Sequence, residues 1–169
     1  MVSPKNKKNR IRIYDELVKF ITTNQDNLYR LAYSYVKNQQ EALDIVQDSI
    51  YKALSSADTL KSFEYIKTWV YRIVINTSIT YIRKKKYTVV SDKIEIKFDN
   101  IENDLEQNID LYDAIDRLSE KEKTVVVLKY FEDMKFDEIA RVTQCNINTL
   151  KSRLYSAINK LRIIIDGKG

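Results

Sequence analysis

The chain has 169 residues, 44% of them hydrophobic, and a formal net charge of +5, enough for one ordinary folded domain or two small ones. It has no histidine, a single cysteine (Cys145), and glycine only at Gly167 and Gly169. These counts leave no Cys-based metal cluster or disulfide and no glycine-dependent phosphate cradle, and they remove the commonest general base and zinc ligand.

No apolar run approaches the roughly 20 residues that span a bilayer, and the basic start MVSPKNKKNRIR leads into mixed polar sequence rather than an apolar signal core. A cytoplasmic protein without membrane contact of its own is expected. With one proline, Pro4, and strong helix formers throughout, the fold class expected is all-α. Charge divides the chain into three blocks: residues 1 to 86 carry a net +8, 87 to 118 a net −6, and 119 to 169 a net +3. That pattern predicts two small helical domains meeting a polyanion, with an acidic flexible linker between them. The boundaries expected are 1–86, 87–108 and 109–169.

In chain order, Ile13 to Val36 has the spacing of one or two amphipathic helices, with Leu17, Ile21, Leu28, Leu31 and Tyr35 toward a core. The next helix, QQEALDIVQDSIYKAL, buries Ala42, Ile45, Val46, Ser49 and Ala53 and aligns Glu41, Asp44 and Asp48 on another side. Three readings fit that acidic stripe: a solvated face, a docking surface for a basic protein, or ligands for a catalytic Mg²⁺. The polar stretch Ser55 to Glu64 reads as a loop in which Asp58 or Ser62 caps the following helix, and which could receive a flipped-out base.

That following helix, about Phe63 to Lys86, would bury Phe63, Ile66, Val70, Ile73, Val74, Thr77 and Tyr81. A second sector collects Tyr65, Trp69, Arg72, Asn76 and Arg83. Aromatic rings interleaved with cations and an amide suit unstacked bases, since the rings stack on bases and the cations hold phosphates. The alternative is a partly buried Trp69 and a basic helix end that complements the helix dipole. Tyr87 to Asn108 breaks the helical period and reads as the linker, with Ile94, Ile96 and Phe98 as anchors.

Ser119 and Glu122 have capping-box spacing ahead of the apolar run VVVL, so a helix starts there. A short helix containing Ile139, Ala140 and Val142, a break at Gln144 to Asn146, and a long helix with Leu150, Leu154, Ala157, Ile158 and Leu161 toward the core make a helix-turn-helix. Its second helix would present Asn148, Lys151, Ser152, Tyr155, Ser156 and Asn159 outward, with a size and chemistry suited to the major groove. Cys145, at an apolar position in the turn, reads as packing.

The assembled order resembles the bacterial RNA polymerase sigma factors of the extracytoplasmic-function (ECF) type. ALDIVQDSIYKAL is similar to the family's polymerase-binding helix, A-E-D-[ILV]-V-Q-[DE]. TWVYRIVINTSITYIRKKK is similar to its T-W-L-Y-R-I-A-x-N-x-x-x-[DN]-Y-[LI]-R stretch, and LKYFEDMKFDEIARVTQCNINTLKSRLYSAINKL to its minus-thirty-five-binding domain. The resemblance implies that Asp44, Gln47 and Asp48 contact the clamp helices of the polymerase largest subunit. It places Trp69, Arg72 and Asn76 at the melted minus-ten element with Lys52 near the same bases, and makes Asp58 to Glu64, with Asp58, Lys61 and Ser62, a base-capturing loop. Lys151, Arg153 and Tyr155 would face DNA at the minus-thirty-five element.

The partners implied are core polymerase (clamp helices and flap), promoter DNA and an anti-sigma factor, with no cofactor and no metal. Three positions depart from the family pattern: Ser156 stands where many members carry Arg, Thr80 where many carry Asp or Asn, and Gln144 where Gly or a small polar residue is usual. The rival readings are a stand-alone helix-turn-helix regulator, a nucleic-acid enzyme using Glu41, Asp44 and Asp48, and the related toxin-gene-regulator branch of sigma factors.

Overall fold

The computed structural model describes residues 3–92 and 109–167, and every regular element among them is helical. The anchors expected at Ile94, Ile96 and Phe98, and most of the expected linker, lie outside the described residues.

The first compact unit centres on α1 (Pro4–Thr23), α2 (Gln25–Val36), α3 (Gln39–Ser55) and the amino-terminal half of α4 (Ile66–Asp92). α1 starts well before Ile13: Ser3 sits in extended backbone as N-cap and accepts from the Asn6 N–H, with Pro4 as the first helical residue. The chain breaks at Asn24, whose side-chain amide donates to the Phe20 carbonyl at 2.8 Å, so two helices form rather than one. α2 ends at Lys37 in the left-handed region (φ 51), and Asn38 caps α3 by accepting from the Glu41 N–H at 2.9 Å. All five core residues expected of the first two helices and all five expected of α3 are buried. Each leucine, isoleucine or valine so buried is worth about 1.5–3 kcal/mol.

Two single-turn 3₁₀ segments, Ala57–Thr59 and Phe63–Tyr65, join α3 to α4. Ala57 and Leu60 are buried and pin this connection while Asp58, Thr59 and Lys61 remain exposed. Neither expected cap forms. Ser62 precedes the second turn without a side-chain hydrogen bond to it, and Asp58 is spent in the first turn. The reason is the inserted 3₁₀ turn, which delays α4 to Ile66 and leaves both residues out of register with its first free N–H groups. α4 then continues past Lys86 to Asp92, because nothing in YTVVSD is a glycine or proline that would stop it.

The second unit centres on α5 (Ile109–Asp116), α6 (Glu120–Val126) and α8 (Ile147–Asp166). The Ser119–Glu122 capping box forms in both directions. α6 passes into a π turn, Val127–Phe131, closed by the Glu132 N–H on the Val127 carbonyl at 3.1 Å. Asp133 (φ 50) turns the chain into α7 (Phe136–Thr143), and Gln144 (φ 57) separates α7 from α8. Asn146 then caps α8 by accepting from the Thr149 N–H at 2.8 Å. Ile139, Val142, Leu150, Leu154 and Ala157 are buried, as a helix-turn-helix requires, whereas Ile158 and Leu161 are half-buried.

Candidate nucleic-acid interface

α4 is the organising element of the first unit. Ile66, Val70, Val74 and Thr77 are buried as expected, but so are Thr68, Tyr71, Ile75 and Ser78, while Phe63, Ile73 and Tyr81 are only half-buried. The helix therefore packs over more than half its circumference. At about 100° per residue Tyr65, Trp69, Arg72, Asn76 and Arg83 fall within a sector roughly 60° wide inside the remainder. Tyr65, Asn76 and Arg83 are exposed; Trp69 and Arg72 are half-buried. The Asp58, Lys61 and Ser62 side chains come from the connection that feeds this sector: the first two are exposed and Ser62 is half-buried.

Lys52 joins α3 to this site. Its ammonium lies 3.3 Å from the Thr77 hydroxyl of α4 and 3.1 Å from the Asp48 carboxylate one turn back. Both members of that pair are about half exposed, so it orients Lys52 more than it stabilises the fold.

The outward face of α3 carries the acidic stripe. Asp44 is exposed and accepts from Gln40 at 3.0 Å; Gln47 and Asp48 are exposed beside it. Two residues missed by the charge-based reading complete this face: Leu43, 48% exposed, and Tyr51, 73% exposed. A leucine and a tyrosine left in solvent beside two carboxylates and an amide form a mixed apolar and acidic patch. Helical spacing did hold the signal, since Leu43 and Tyr51 fall with Gln40, Asp44 and Gln47 rather than with the core. Among the described residues no group of three or more acidic or Cys side chains is arranged to hold a metal ion.

In the second unit, Asn148, Lys151, Ser152 and Tyr155 are exposed along one stripe of α8, with Tyr155 72% exposed. Lys151 extends over the Phe136 ring at 5.8 Å. Arg153 is half-buried on a neighbouring face, its guanidinium donating to the Cys145 sulfur at 3.1 Å, which fastens the turn to α8. Asn159 is half-buried.

The outward placement expected of Ser156 is corrected by the structure. Its hydroxyl donates at 2.9 Å to Glu122, a buried carboxylate of α6 that also accepts from the Ser119 N–H at 3.2 Å and from Lys160 at 2.8 Å and 3.0 Å. Ser156 turns inward because a carboxylate buried at that depth needs its lone pairs filled. Burial by itself would raise the Glu122 carboxyl, but the bonds from Lys160, Ser119 and Ser156, with the Lys160 charge, together hold it below the ordinary carboxylate range.

Comparison with known proteins matches residues 20–88 to the family described as Sigma-70 region 2 and residues 109–161 to Sigma-70, region 4. The RNA polymerase sigma factor SigV of Bacillus subtilis is 47% identical over 148 residues, covering 87% of this chain and 89% of that protein. The ECF RNA polymerase sigma factor SigW of the same organism is 28% identical over 164 residues, 88% of each chain. Among solved structures, the sigma factor RpoE from Bartonella quintana, crystallised with the anti-sigma factor NepR, superposes with a TM-score of 0.77 at 23% identity over 88% of this chain and 95% of that one. CnrH, in complex with the cytosolic domain of CnrY, gives 0.72 at 17% identity over 95% and 98%; both likenesses are of fold. With both regions matched and a relative nearly half identical along almost its whole length, the chain belongs to the sigma-70 family as an RNA polymerase sigma factor of the ECF type, a promoter-recognition subunit.

Proposed function

We propose that the protein joins core RNA polymerase, brings it to specific promoters, and stabilises the melted minus-ten strand so that transcription starts, with polymerase supplying all of the bond chemistry. The observation that carries this reading is the α4 sector. Trp69 and Arg72 are half sunk in a helix buried around much of its girth, while Tyr65, Asn76 and Arg83 are exposed on the same stripe, Tyr65 with the Arg141 guanidinium 5.2 Å from its ring and Arg83 paired with Glu120 at 3.2 Å, beside a connection pinned by Ala57 and Leu60. Held rigidly, such rings and donors replace the stacking and pairing that bases lose on melting, at roughly 1–3 kcal/mol per stacked base.

In this division of labour residues 1–86 engage polymerase and the minus-ten element, 87–108 connect, and 109–169 engage the minus-thirty-five element. Asp44, Gln47 and Asp48, with Leu43 and Tyr51, dock on the clamp helices of the largest subunit. Lys52, Asp58, Lys61 and Ser62 approach the same bases as the α4 sector. Asn148, Lys151, Ser152 and Tyr155 enter the major groove, with Arg153 acting from its bonded position beside the turn; the inward Ser156 supports the helix from behind. Both solved structures cited above are complexes, one of them named as that of an anti-sigma factor, and this supports an anti-sigma partner here. No helix among the described residues is long and apolar enough to cross a membrane, and work on the chromosome places the protein in the cytoplasm.

Run-off transcription with core polymerase and this protein, on fragmented DNA from its source genome, tests the proposal. New start sites that depend on the protein are expected, sharing two elements at minus ten and minus thirty-five. No start sites and no co-purification with core polymerase would leave a stand-alone helix-turn-helix regulator instead.

A further inference from the structure

The amino-terminal half of α1 is helical without being packed. Residues 3–12 are all exposed, and burial along the helix begins only at Ile13. These exposed turns contain Lys5, Lys7, Lys8, Arg10 and Arg12 and no carboxylate. Lys5 with Lys8, Lys7 with Arg10, and Lys8 with Arg12 are like charges at the three- and four-residue spacings that bring side chains together, so they repel. Cations in the first turns also oppose the helix dipole. Among the described residues no carboxylate pairs with Lys5, Lys7, Lys8 or Arg10. A segment that concentrates charge against its own local preference is suited to a polyanion that would relieve the repulsion.

The cations fall on two faces, and the structure distinguishes them. The Arg12 guanidinium lies 5.0 Å from the centre of the Phe63 ring, which ties this part of α1 to the turn that feeds α4. At about 100° per residue Lys5, Lys8 and Arg12 share a sector roughly 60° wide, whereas Lys7 and Arg10 point to the other side. Lys5 and Lys8 thus continue the face that meets Phe63. From Arg12 to Lys5 the helix rises about 10 Å, comparable to the axial rise of roughly three phosphates of one strand in duplex DNA.

We propose that the Lys5–Lys8–Arg12 face of α1 is an additional phosphate-binding surface. It holds the sugar-phosphate backbone of promoter DNA next to the bases engaged by the Asp58 to Tyr65 connection. The inference rests on the minus-ten reading of that connection, because continuity with it is what selects DNA over an acidic protein. Phosphate contacts of this kind carry no sequence information but fix the strand's register at the residues that do read bases.

The test uses holoenzyme reconstituted from core polymerase and the full chain, and a promoter fragment obtained from the run-off experiment, with binding followed by fluorescence anisotropy across a KCl series. Lys5→Ala/Lys8→Ala is compared with Lys7→Ala/Arg10→Ala, which removes equal charge from the other face. The first variant is expected to flatten the slope of log Kobs against log[KCl] by about 1.4–1.8 and to weaken binding about tenfold or more at 0.1 M salt. Start site and affinity for core polymerase stay unchanged, and the second variant stays close to wild type. Unchanged slopes in the first variant overturn the proposal, as does equal loss in both, which would mean diffuse attraction only. A loss of affinity for core polymerase without DNA overturns it in favour of docking on the enzyme. If the wild-type chain supports no transcript at all, the promoter reading falls first and this inference with it.

Discussion

Replacing Glu122 tests how the second unit is held together. The carboxylate closes the capping box on Ser119, accepts the Ser156 hydroxyl from a position 34 residues away, and pairs with Lys160. Its side chain is only 10% exposed, whereas Lys160 is 52% exposed, so the ion pair itself is partly screened and worth less than 1 kcal/mol. The two bonds from Ser119 and Ser156 to a buried anion are stronger, roughly 1–2 kcal/mol each once their part-buried setting is allowed for. Glu122→Ala is therefore expected to cost about 2–4 kcal/mol, and Glu122→Gln, which keeps the shape and the acceptor, about 1–2 kcal/mol.

The pH dependence has a definite sign. Because the folded carboxyl is held below its unfolded value, the stabilisation is fully present above the unfolded pKa and is lost as pH falls through the lowered folded value. Urea titrations followed by far-ultraviolet circular dichroism at neutral pH and below the carboxylate range measure both effects. Trp69, the only tryptophan, reports on the first unit and serves as the internal control. A Glu122→Ala penalty under about 0.5 kcal/mol, or an acid-side loss that persists undiminished in Glu122→Gln, would refute the network as described.

Ser156→Ala should remove one bond to Glu122 and cost about 1 kcal/mol while leaving minus-thirty-five binding, measured by footprinting, unchanged; weakened footprints with normal stability would return Ser156 to the DNA face. Gln144→Gly should stabilise the chain by roughly 0.5–1 kcal/mol in urea titration, because Gln144 occupies the left-handed region at φ 57, which glycine adopts without strain. Asp44→Lys/Asp48→Lys should abolish binding to core polymerase in co-purification with less than about 1 kcal/mol change in stability, since both residues are exposed and only the half-exposed Lys52 pair and the exposed Gln40 hydrogen bond are lost. Trp69→Ala should slow open-complex formation, followed by permanganate reactivity, more than it weakens polymerase binding. Its stability cost should stay below the roughly 3–5 kcal/mol of a fully buried aromatic.

Which parts of this molecule could be read from sequence follows from the range of the interactions that decide them. The core of α3 and the capping box at Ser119 are local: a residue and its neighbours three or four positions away settle the outcome, and helical periodicity reports those neighbours directly. The same periodicity misjudged Ser156, which lies only about 40° from Ser152 at the edge of the exposed stripe of α8, because its direction is chosen by a carboxylate on another helix. It also understated the burial of α4, where Tyr71, Ile75 and Ser78 are covered by partners that no pattern within the helix can reveal.

The caps expected from Asp58 and Ser62 failed for a related reason, since a 3₁₀ turn shifts the register of every residue that follows it. A reading built on charge alone passed over Leu43 and Tyr51, whose exposure has meaning only once the helix is known to have its core elsewhere. On a helix whose core face is already satisfied, exposed apolar residues such as Leu43 and Tyr51 contribute little to the fold, which is why the proposed docking face includes them.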